Sequence, residues 1–223
     1  MKKSLILLFV VLILAGVCLG YLLGKKGCTK NANGTAFTNP TVETLLARRS
    51  IRNYTDQPVD RALLEEIARI GVNAPNSRNA QEWEVRIVDN PEYINGITEV
   101  YKEVMRRNER TARQVDNPSF KNFFKNGTAV YFIAIPDGPG RYTDLDAGLL
   151  AGNICNAAAS FGLGTCCLGI QTDFMNDTPE AAPYLRQLKF REDYKLVLCI
   201  AVGYPDEAPD AKPRDYSKIQ VIE

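Results

Sequence analysis

Asp144 to Gly169 read DLDAGLLAGNICNAAASFGLGTCCLG, and this stretch decides the fold. Its first part, Asp144–Phe161, is rich in small residues, which predicts a long helix that packs closely against another backbone. Three glycines follow within Gly162–Ile170, GLGTCCLGI. They either end the helix and turn the chain or let the backbone approach a flat group. Their spacing, and the lack of a preceding strand, do not match a dinucleotide-binding fingerprint.

Apolar stretches elsewhere in the chain predict strands. Ala129–Ile135 is continuously apolar, as in a central strand covered on both faces, and Tyr194–Tyr204 predicts a last apolar strand. Trp83, Val85 and Ile87 alternate with polar residues, which indicates a half-buried strand. Strands separated by helical segments predict an α+β fold, with one mixed sheet and helices on its faces.

Helical spacing of apolar residues predicts an amphipathic helix that Asp60 caps. The apolar face of this helix consists of Leu63, Leu64, Ile67, Ala68, Ile70 and Gly71. Before it, Thr41–Arg49 predicts a short helix with Leu45 and Leu46 facing inward.

Three later segments complete the secondary structure. Pro91–Arg113 is highly charged but keeps apolar residues at helical spacing, and Ala182–Leu188 predicts a short helix. Pro205–Glu223 is a tail whose prolines prevent a helix, and it ends in the strand-like segment Ile219–Ile222.

The composition limits the classes of function. With 223 residues, of which 45% are hydrophobic and 24% charged, the chain is long enough for one well-cored domain. The formal net charge of +1 provides no bulk field for nucleic acid or for an anionic membrane. The chain has no histidine, which excludes Ser-His-Asp and Cys-His arrangements, the usual zinc sites and a histidine base. An enzyme without histidine is easier to understand if a cofactor carries the reactive atoms.

The N-terminal residues predict a membrane segment. Ser4–Gly24 has no charged residue, lies between lysines and is about long enough to cross a hydrocarbon core as a helix. We expect an uncleaved anchor, and the alternatives are a signal peptide or a lipoprotein signal that uses Cys18. Because lysines flank both ends, the side of the membrane stays open. The predicted organisation is an anchor or signal over 1–24, a linker over 25–40 and one domain over 41–223.

The six cysteines show no disulfide or zinc pattern. Cys166 and Cys167 are adjacent, and the others are far apart without a CxxC spacing. Cys155 and Cys199 lie in apolar helix and strand patterns, where cysteine is usually a small buried hydrophobe. We expect none of the six to form a disulfide or a metal site.

The segment RRSIR, Arg48–Arg52, has an arrangement that suits an anion. In an extended chain Arg48, Ser50 and Arg52 point to one side, while Arg49 and Ile51 point to the other. Two guanidinium groups and a hydroxyl on one side form a phosphate cradle. The alternative is a solvated basic corner.

Two other polar segments allow a functional and a plain structural interpretation. Lys212 and Arg214 lie on one side of the tail if Pro213 keeps it extended, and they either add cations to a phosphate site or make the tail soluble. The loop Pro75–Trp83 carries amide and hydroxyl groups that either bind the edge of a heterocycle or form turns. Those groups belong to Asn76, Ser77, Asn79 and Gln81.

Taken in order, these segments resemble the nitroreductase family of FMN flavoenzymes from about Val42 to Ile222. The resembling segments are RRSIRNYTDQPV from Arg48, APNSRNAQEW from Ala74, the stretch Asp144–Gly169, AVGYP from Ala201 and the Lys-x-Arg of the tail. The resemblance implies a nitroreductase-like fold, whose central mixed sheet is mostly antiparallel and flanked by helices. It also implies a homodimer with an extended C-terminal arm.

The resemblance implies an FMN site in this chain. The residues implied at the phosphate and ribityl chain are Arg48, Arg49 through its backbone, Ser50, Arg52, Lys212 and Arg214. The residues implied to reach the flavin from the partner subunit are Pro75, Asn76, Ser77 and Asn79. The residues implied to line the flavin ring, with a backbone N–H near N5, are Cys167, Leu168 and Gly169. An Asn-x-x-Lys match places Asn122 and Lys125 beside the pyrimidine edge.

Some positions depart from the family pattern. Glu82 stands where a proline usually precedes the tryptophan, and Ile170 stands where a glycine is common. The Glu, Tyr and Lys spacing of the lid in family members that dehalogenate iodotyrosine is not found between Pro91 and Lys125. This disfavours a dehalogenase.

The function implied is an FMN-dependent oxidoreductase that passes electrons from NADH or NADPH to a small organic acceptor, such as a nitroaromatic or a quinone, by a ping-pong mechanism. No side chain then needs to act as an acid or base. Alternatives are a membrane-anchored flavin-binding module without fast turnover, a reductive dehalogenase, and a structural or adhesive surface protein. If the domain faces outward, the electron donor would be a membrane quinol or a partner protein.

Overall fold

The structure is a computed structural model that describes residues 29–30, 37–138 and 142–223. The chain divides into two units, Met1–Ala47 and Arg48–Glu223. The predicted membrane segment Ser4–Gly24 lies outside the described residues, as does most of the predicted linker. Among the residues that are described, no helix is both long enough and apolar enough to span a membrane.

The described part of the first unit is small. Strands β1 (Thr29–Lys30) and β2 (Phe37–Thr38) pair antiparallel, and helix α1 covers Pro40–Ala47. The prediction that Leu45 and Leu46 face inward is wrong, because their side chains are 48% and 69% exposed. Two short strands and an eight-residue helix provide too little apolar surface to enclose them.

The second unit contains six helices and four strands in its described residues. Its helices are α2 (Arg61–Gly71), α3 (Pro91–Arg106), α4 (Glu109–Val115), α5 (Thr143–Ser160), α6 (Gly169–Asp177) and α7 (Ala182–Gln187). Its strands are β3 (Glu84–Val88), β4 (Ala129–Pro136), β5 (Gly164–Leu168) and β6 (Tyr194–Gly203). Short 3-10 turns lie at Ser77–Asn79, Pro179–Ala181 and Tyr216–Lys218.

The four strands of the second unit form one antiparallel sheet in the order β3-β4-β6-β5. The predicted central position of Ala129–Ile135 is confirmed, since β4 pairs on both sides and these residues are buried. The prediction of a mixed sheet holds only through an isolated parallel bridge between Ser50 and Thr165. Every pairing between the named strands of this sheet is antiparallel.

The predicted small-residue helix is confirmed as α5, which covers one face of the sheet. Its residues Leu150 and Ile154 are fully buried in a cluster with Leu64 and Ile67 of α2. The predicted cap of α2 is also present, because the Asp60 carboxylate accepts a hydrogen bond from the Ala62 N–H at 2.8 Å. Ile70 of the predicted apolar face is 36% exposed, since it lies at the margin of the buried stripe.

The opposite face of the sheet is covered by aromatic residues. Phe123, Phe124 and Phe132 are buried there, and Phe123 lies 5.1 Å from Phe174 between ring centroids. Burial of such side chains stabilises each by about 1.5–3 kcal/mol. The sheet is therefore the middle layer of the second unit, which is the α+β arrangement that the sequence predicts.

Three segments differ from the prediction. The helix predicted over Pro91–Arg113 is two helices, because the chain leaves α3 near Arg107 and Asn108 caps α4. Strand β5 and helix α6 were not predicted, since the glycines of the GLGTCCLGI segment hide a five-residue strand. Ile219–Ile222 is not a strand, because no neighbouring strand pairs with it.

The segment just before Tyr54 packs closely against the edge of the sheet. The Ile51 N–H donates to the Thr165 carbonyl at 2.9 Å, and the Ile51 side chain is 6% exposed. A β-carbon added to Gly164 would lie 2.7 Å from Ile51 Cγ1, so only glycine leaves room for this side chain. Gly164 is paired with Gly203, where an added β-carbon would lie 3.0 Å from the Tyr54 ring.

Gly164→Ala should therefore destabilise the second unit. The added methyl group must displace Ile51, and overpacking of this kind costs about 1–3 kcal/mol. The free energy of unfolding can be measured in urea through the fluorescence of Trp83, the chain's only tryptophan.

Gly169→Ala is the matched control, because the same added atom has nothing within 4 Å there and α6 begins at this residue. We expect its stability to be unchanged or slightly raised. Equal stability of both variants would contradict the contact.

Candidate functional site

The segment Arg48–Arg52 is held at the edge of the sheet by backbone and side-chain bonds. Ser50 bridges Thr165, and the Tyr54 hydroxyl donates to the Ile51 carbonyl at 2.6 Å. Burial raises the pKa of Tyr54, so the hydroxyl stays neutral and keeps donating at any physiological pH. The segment thus presents its cationic side chains from a fixed backbone.

The two cationic segments of the sequence meet in one cleft of about 160 Å³. The residues that line it are Arg48, Arg49, Ser50, Arg52, Pro209, Asp210, Lys212 and Arg214. The structure therefore brings together every residue that was expected at a phosphate, including those of the tail. Arg49, which was expected to contribute its backbone, also lines the cleft.

This cleft, which we call the cationic cleft, has unbalanced charge. It contains four arginines and one lysine against the single carboxylate of Asp210. Within the described chain, Arg48, Arg52, Lys212 and Arg214 form no ion pair, and the hydrogen bonds of Arg214 go to the Lys212 and Pro213 carbonyls. Guanidinium groups without carboxylate partners are available to an anion with several oxygen atoms.

The start of the tail is fastened to the same segment by Glu207. Its carboxylate accepts from the backbone N–H groups of Arg52 and, at 3.3 Å, of Asn53. Backbone bonds from Asp206 to Asn53 at 3.0 Å and from Thr55 to Tyr204 at 2.9 Å continue this contact. Glu207 was missed in the sequence, where the only signal is an acidic residue soon after the strand end AVGYP.

The loop around Asn76 uses part of its polar groups for its own turn. The Asn76 side-chain oxygen accepts from the Gln81 N–H at 3.0 Å, and its nitrogen donates to the Ala74 carbonyl at 3.3 Å. Arg78, Asn79 and Gln81 have positive φ angles of 56°, 54° and 52°. Turn chemistry therefore accounts for Asn76 and for the backbone of this loop.

Pro75, Asn76 and Ser77 nevertheless line a cavity of about 320 Å³. The other residues of this cavity are Tyr142, Leu145, Asp146 and Leu149. Asp146 is buried, and both of its oxygens accept from the Ser77 N–H at 3.1 Å. This cavity shares no lining residue with the cationic cleft, and Asn79 does not line it. Asp146 was not identified as a site residue from the sequence.

Asn122 and Lys125 line a third cavity of about 340 Å³, which also includes Arg52. Asn122 is a structural residue there, because it accepts from the Phe124 and Asn126 N–H groups and donates to the Gly127 carbonyl. Lys125 has a φ of 54° and an exposed side chain. Since Arg52 borders both spaces, this cavity adjoins the cationic cleft.

Cys167, Leu168 and Gly169 lie where β5 ends and α6 begins. Cys167 and Gly169 are exposed, whereas the Leu168 side chain is only 3% exposed, so Leu168 can offer a ligand only its backbone. Their neighbour Ile170 is 71% exposed, and Glu82 is also exposed.

The charges of both cationic regions act on the thiols at the end of β5. Burial raises the pKa of Cys166, and the charges of Arg52 and Lys125 oppose that rise. The charge of Arg48 likewise acts on the next residue, Cys167. Cys167, which was expected at the flavin ring, is therefore exposed to the positive charge of Arg48, which was expected at the phosphate.

The sequence was compared with those of known proteins. A model of the nitroreductase family matches residues 45–204, more than half of the chain. An NADPH-flavin oxidoreductase of Vibrio harveyi is 27% identical over 194 residues, which cover 79% of this chain and 70% of the relative. An iodotyrosine deiodinase of Nematostella vectensis is 26% identical over 200 residues, 78% of this chain and 72% of the relative.

The fold is also similar to solved structures. A nitroreductase with bound FMN from Desulfitobacterium hafniense superimposes with a TM-score of 0.74 at 21% identity, covering 83% of this chain and all of that one. At this identity the likeness shows the fold alone.

Proposed function

The chain belongs to the nitroreductase family and is an FMN-dependent NAD(P)H oxidoreductase, and we propose that it reduces a small acceptor such as a nitroaromatic or a quinone by a ping-pong mechanism. The main support within this chain is the cationic cleft, where the segment Arg48–Arg52 at the sheet edge meets the C-terminal tail. FMN, when bound, supplies the two-electron transfer between donor and acceptor.

The donor groups of the cleft fit the phosphate of FMN. A phosphate monoester carries nearly two negative charges and several acceptor oxygens, which match guanidinium forks and a hydroxyl. Arg48, Arg52, Lys212 and Arg214 have no ion-pair partner in the described chain, so no existing salt bridge is lost on binding. We assign the phosphate to these residues, with Ser50 and the backbone of Arg49 beside them.

We place the flavin ring toward Lys125 and the end of β5. The cavity that contains Lys125 shares Arg52 with the cationic cleft, and Cys167 and Gly169 are exposed nearby. A ring in this position would meet the backbone of residues 167–169, and Lys125 would add a positive charge at its edge. Asn122 then contributes by fixing the turn before Lys125 rather than by a side-chain hydrogen bond of its own.

We propose a homodimer in which the Asn76 loop serves the partner's site. The cavity of Pro75, Asn76 and Ser77 is separate from the cationic cleft of the same chain. It lies among apolar side chains that are unusually exposed, with Leu145 at 61% and Leu149 at 40%. Such a surface is suited to burial against a second copy, and Asn79 would reach across with the loop.

In the proposed ping-pong cycle, the nicotinamide donor leaves before the acceptor takes its place. The side chains of this site bind, orient and provide positive charge, and no side chain needs to move a proton. Glu82 and Ile170, which depart from the family pattern, are exposed. They are therefore suited to influence which acceptor enters the site.

Loss of a cleft arginine should weaken FMN retention. Arg48→Ala and Arg214→Ala should each raise the Kd for FMN by about 10- to 100-fold, because a charge-assisted contact is worth about 1.5–3 kcal/mol. Quenching of flavin fluorescence on binding measures this Kd. Arg186→Ala is the control, since this exposed arginine of α7 lines none of the three cavities. An unchanged Kd in both cleft variants refutes the phosphate assignment.

Steady-state kinetics test the activity itself. NADH or NADPH oxidation with a quinone or nitroaromatic acceptor should give parallel double-reciprocal lines as the acceptor concentration is varied. Flavin binding without turnover would instead support the second hypothesis, a flavin-binding module. Release of iodide from iodotyrosine would support a dehalogenase, which the deiodinase relative keeps as an alternative.

We further propose that Ser4–Gly24 anchors the protein in a membrane, because this segment is uncharged and long enough to span. The full-length chain should sediment with membranes after an alkaline wash, and removal of residues 1–24 should release it. Full-length protein in the supernatant, or an N-terminus cleaved after this segment, contradicts the anchor. A reporter fused after Glu223 identifies the side of the membrane, and a domain facing outward would need a donor such as a membrane quinol.

A further inference from the structure

Two cysteines that are distant in sequence meet beside the cationic cleft. Cys155 lies on α5 and is 6% exposed, whereas Cys167 lies on β5 and is exposed to solvent. Their sulfur atoms are 3.9 Å apart. One thiol of the pair is therefore shielded and the other is accessible.

The surroundings favour a thiolate in this pair. The hydrogen bond from Cys167 lowers the pKa of Cys155 to about 7, against burial, which acts in the opposite direction. The buried Thr165 hydroxyl and the charge of Arg48 lower this pKa further. The same sulfur contact raises the pKa of Cys167, so the thiolate of the pair forms on Cys155.

The other two described cysteines lack these properties. Burial raises the pKa of Cys199 to about 12, and burial also raises the pKa of Cys166. Cys166 and Cys167 are consecutive residues of a strand, so their side chains point to opposite faces. Cys166 packs among the aromatic residues on the far face, whereas Cys167 points toward α5.

We propose that Cys155 and Cys167 form a second two-electron redox site, which interconverts between a dithiol and a disulfide and takes small disulfides as its oxidants. The proposal does not depend on FMN binding. A disulfide requires the sulfurs to approach from 3.9 Å to about 2.05 Å.

The oxidation proceeds by two thiol–disulfide exchanges. The proton of the Cys167 thiol passes to the Cys155 thiolate 3.9 Å away, and the exposed Cys167 sulfur then attacks one sulfur of a small disulfide RSSR, which forms a Cys167–SR mixed disulfide and releases RS⁻. The Cys155 thiolate then attacks the Cys167 sulfur, so the Cys155–Cys167 bond forms and the second RS⁻ leaves. The protein loses two protons and two electrons, and RSSR becomes two RSH. Reduction by two molecules of a small thiol reverses both steps.

The test equilibrates the full-length protein with graded mixtures of reduced and oxidised glutathione. Acid quenching, alkylation of free thiols and peptide mass spectrometry then identify each cysteine's state. We expect two thiols per chain to disappear together, with a cross-linked peptide that joins Cys155 to Cys167. The equilibration is run without added FMN, so its outcome does not depend on whether a flavin ring covers Cys167.

Single substitutions test whether Cys155 and Cys167 are the two cysteines that react. Cys166→Ala should keep the cross-link, because its side chain lies on the other face. Cys155→Ser should stop the reaction at the Cys167–glutathione mixed disulfide, and Cys167→Ser should abolish both products at these two positions.

Several results would overturn the proposal. They are a lasting mixed disulfide at Cys167 of the unaltered chain, a cross-link between Cys166 and Cys167 or between two chains, or no oxidation at any glutathione ratio. Because the unaltered chain alone decides each of these results, a variant that fails to fold leaves the test intact.

Discussion

The site depends on how closely one chain segment approaches the edge of the sheet. Gly164 and Gly203 are paired across β5 and β6, and together they leave a patch without side chains. Ile51 fills the space over Gly164, and Tyr54 fills the space over Gly203. The backbone between them is then close enough for Ile51 to bond Thr165 and for Thr55 to bond Tyr204. The cationic cleft exists because these contacts fix the direction of the arginines.

Much of this arrangement could be predicted from the sequence. The burial of Ala129–Ile135 and the close packing of α5 follow from composition and spacing, since a continuously apolar strand and a small-residue helix have few other stable places. The meeting of Arg48–Arg52 with Lys212 and Arg214 was also expected, although only from the resemblance to a family.

The rest depends on contacts between distant residues. The five-residue strand β5 is stable because β6 pairs with it along its whole length, and no local preference of GTCCL reports that pairing. Glu207 acquires a role only when the tail returns to the N–H groups of Arg52 and Asn53. Exposure of Leu45 and Leu46 likewise reflects what surrounds the helix, not its own periodicity.

The register of β5 links the two chemical features of this region. The pairing of Gly164 with Gly203 also sets Cys167 opposite Ile200, on the side of α5, and Cys166 opposite Ala201, on the aromatic side. A shift of one residue would exchange the faces, which would turn Cys166 toward Cys155 and put the Thr165 side chain in the space that Ile51 needs. The register that aims the arginines is therefore the same one that brings the Cys167 and Cys155 sulfurs into contact, although the chemistry of each site is independent of the other.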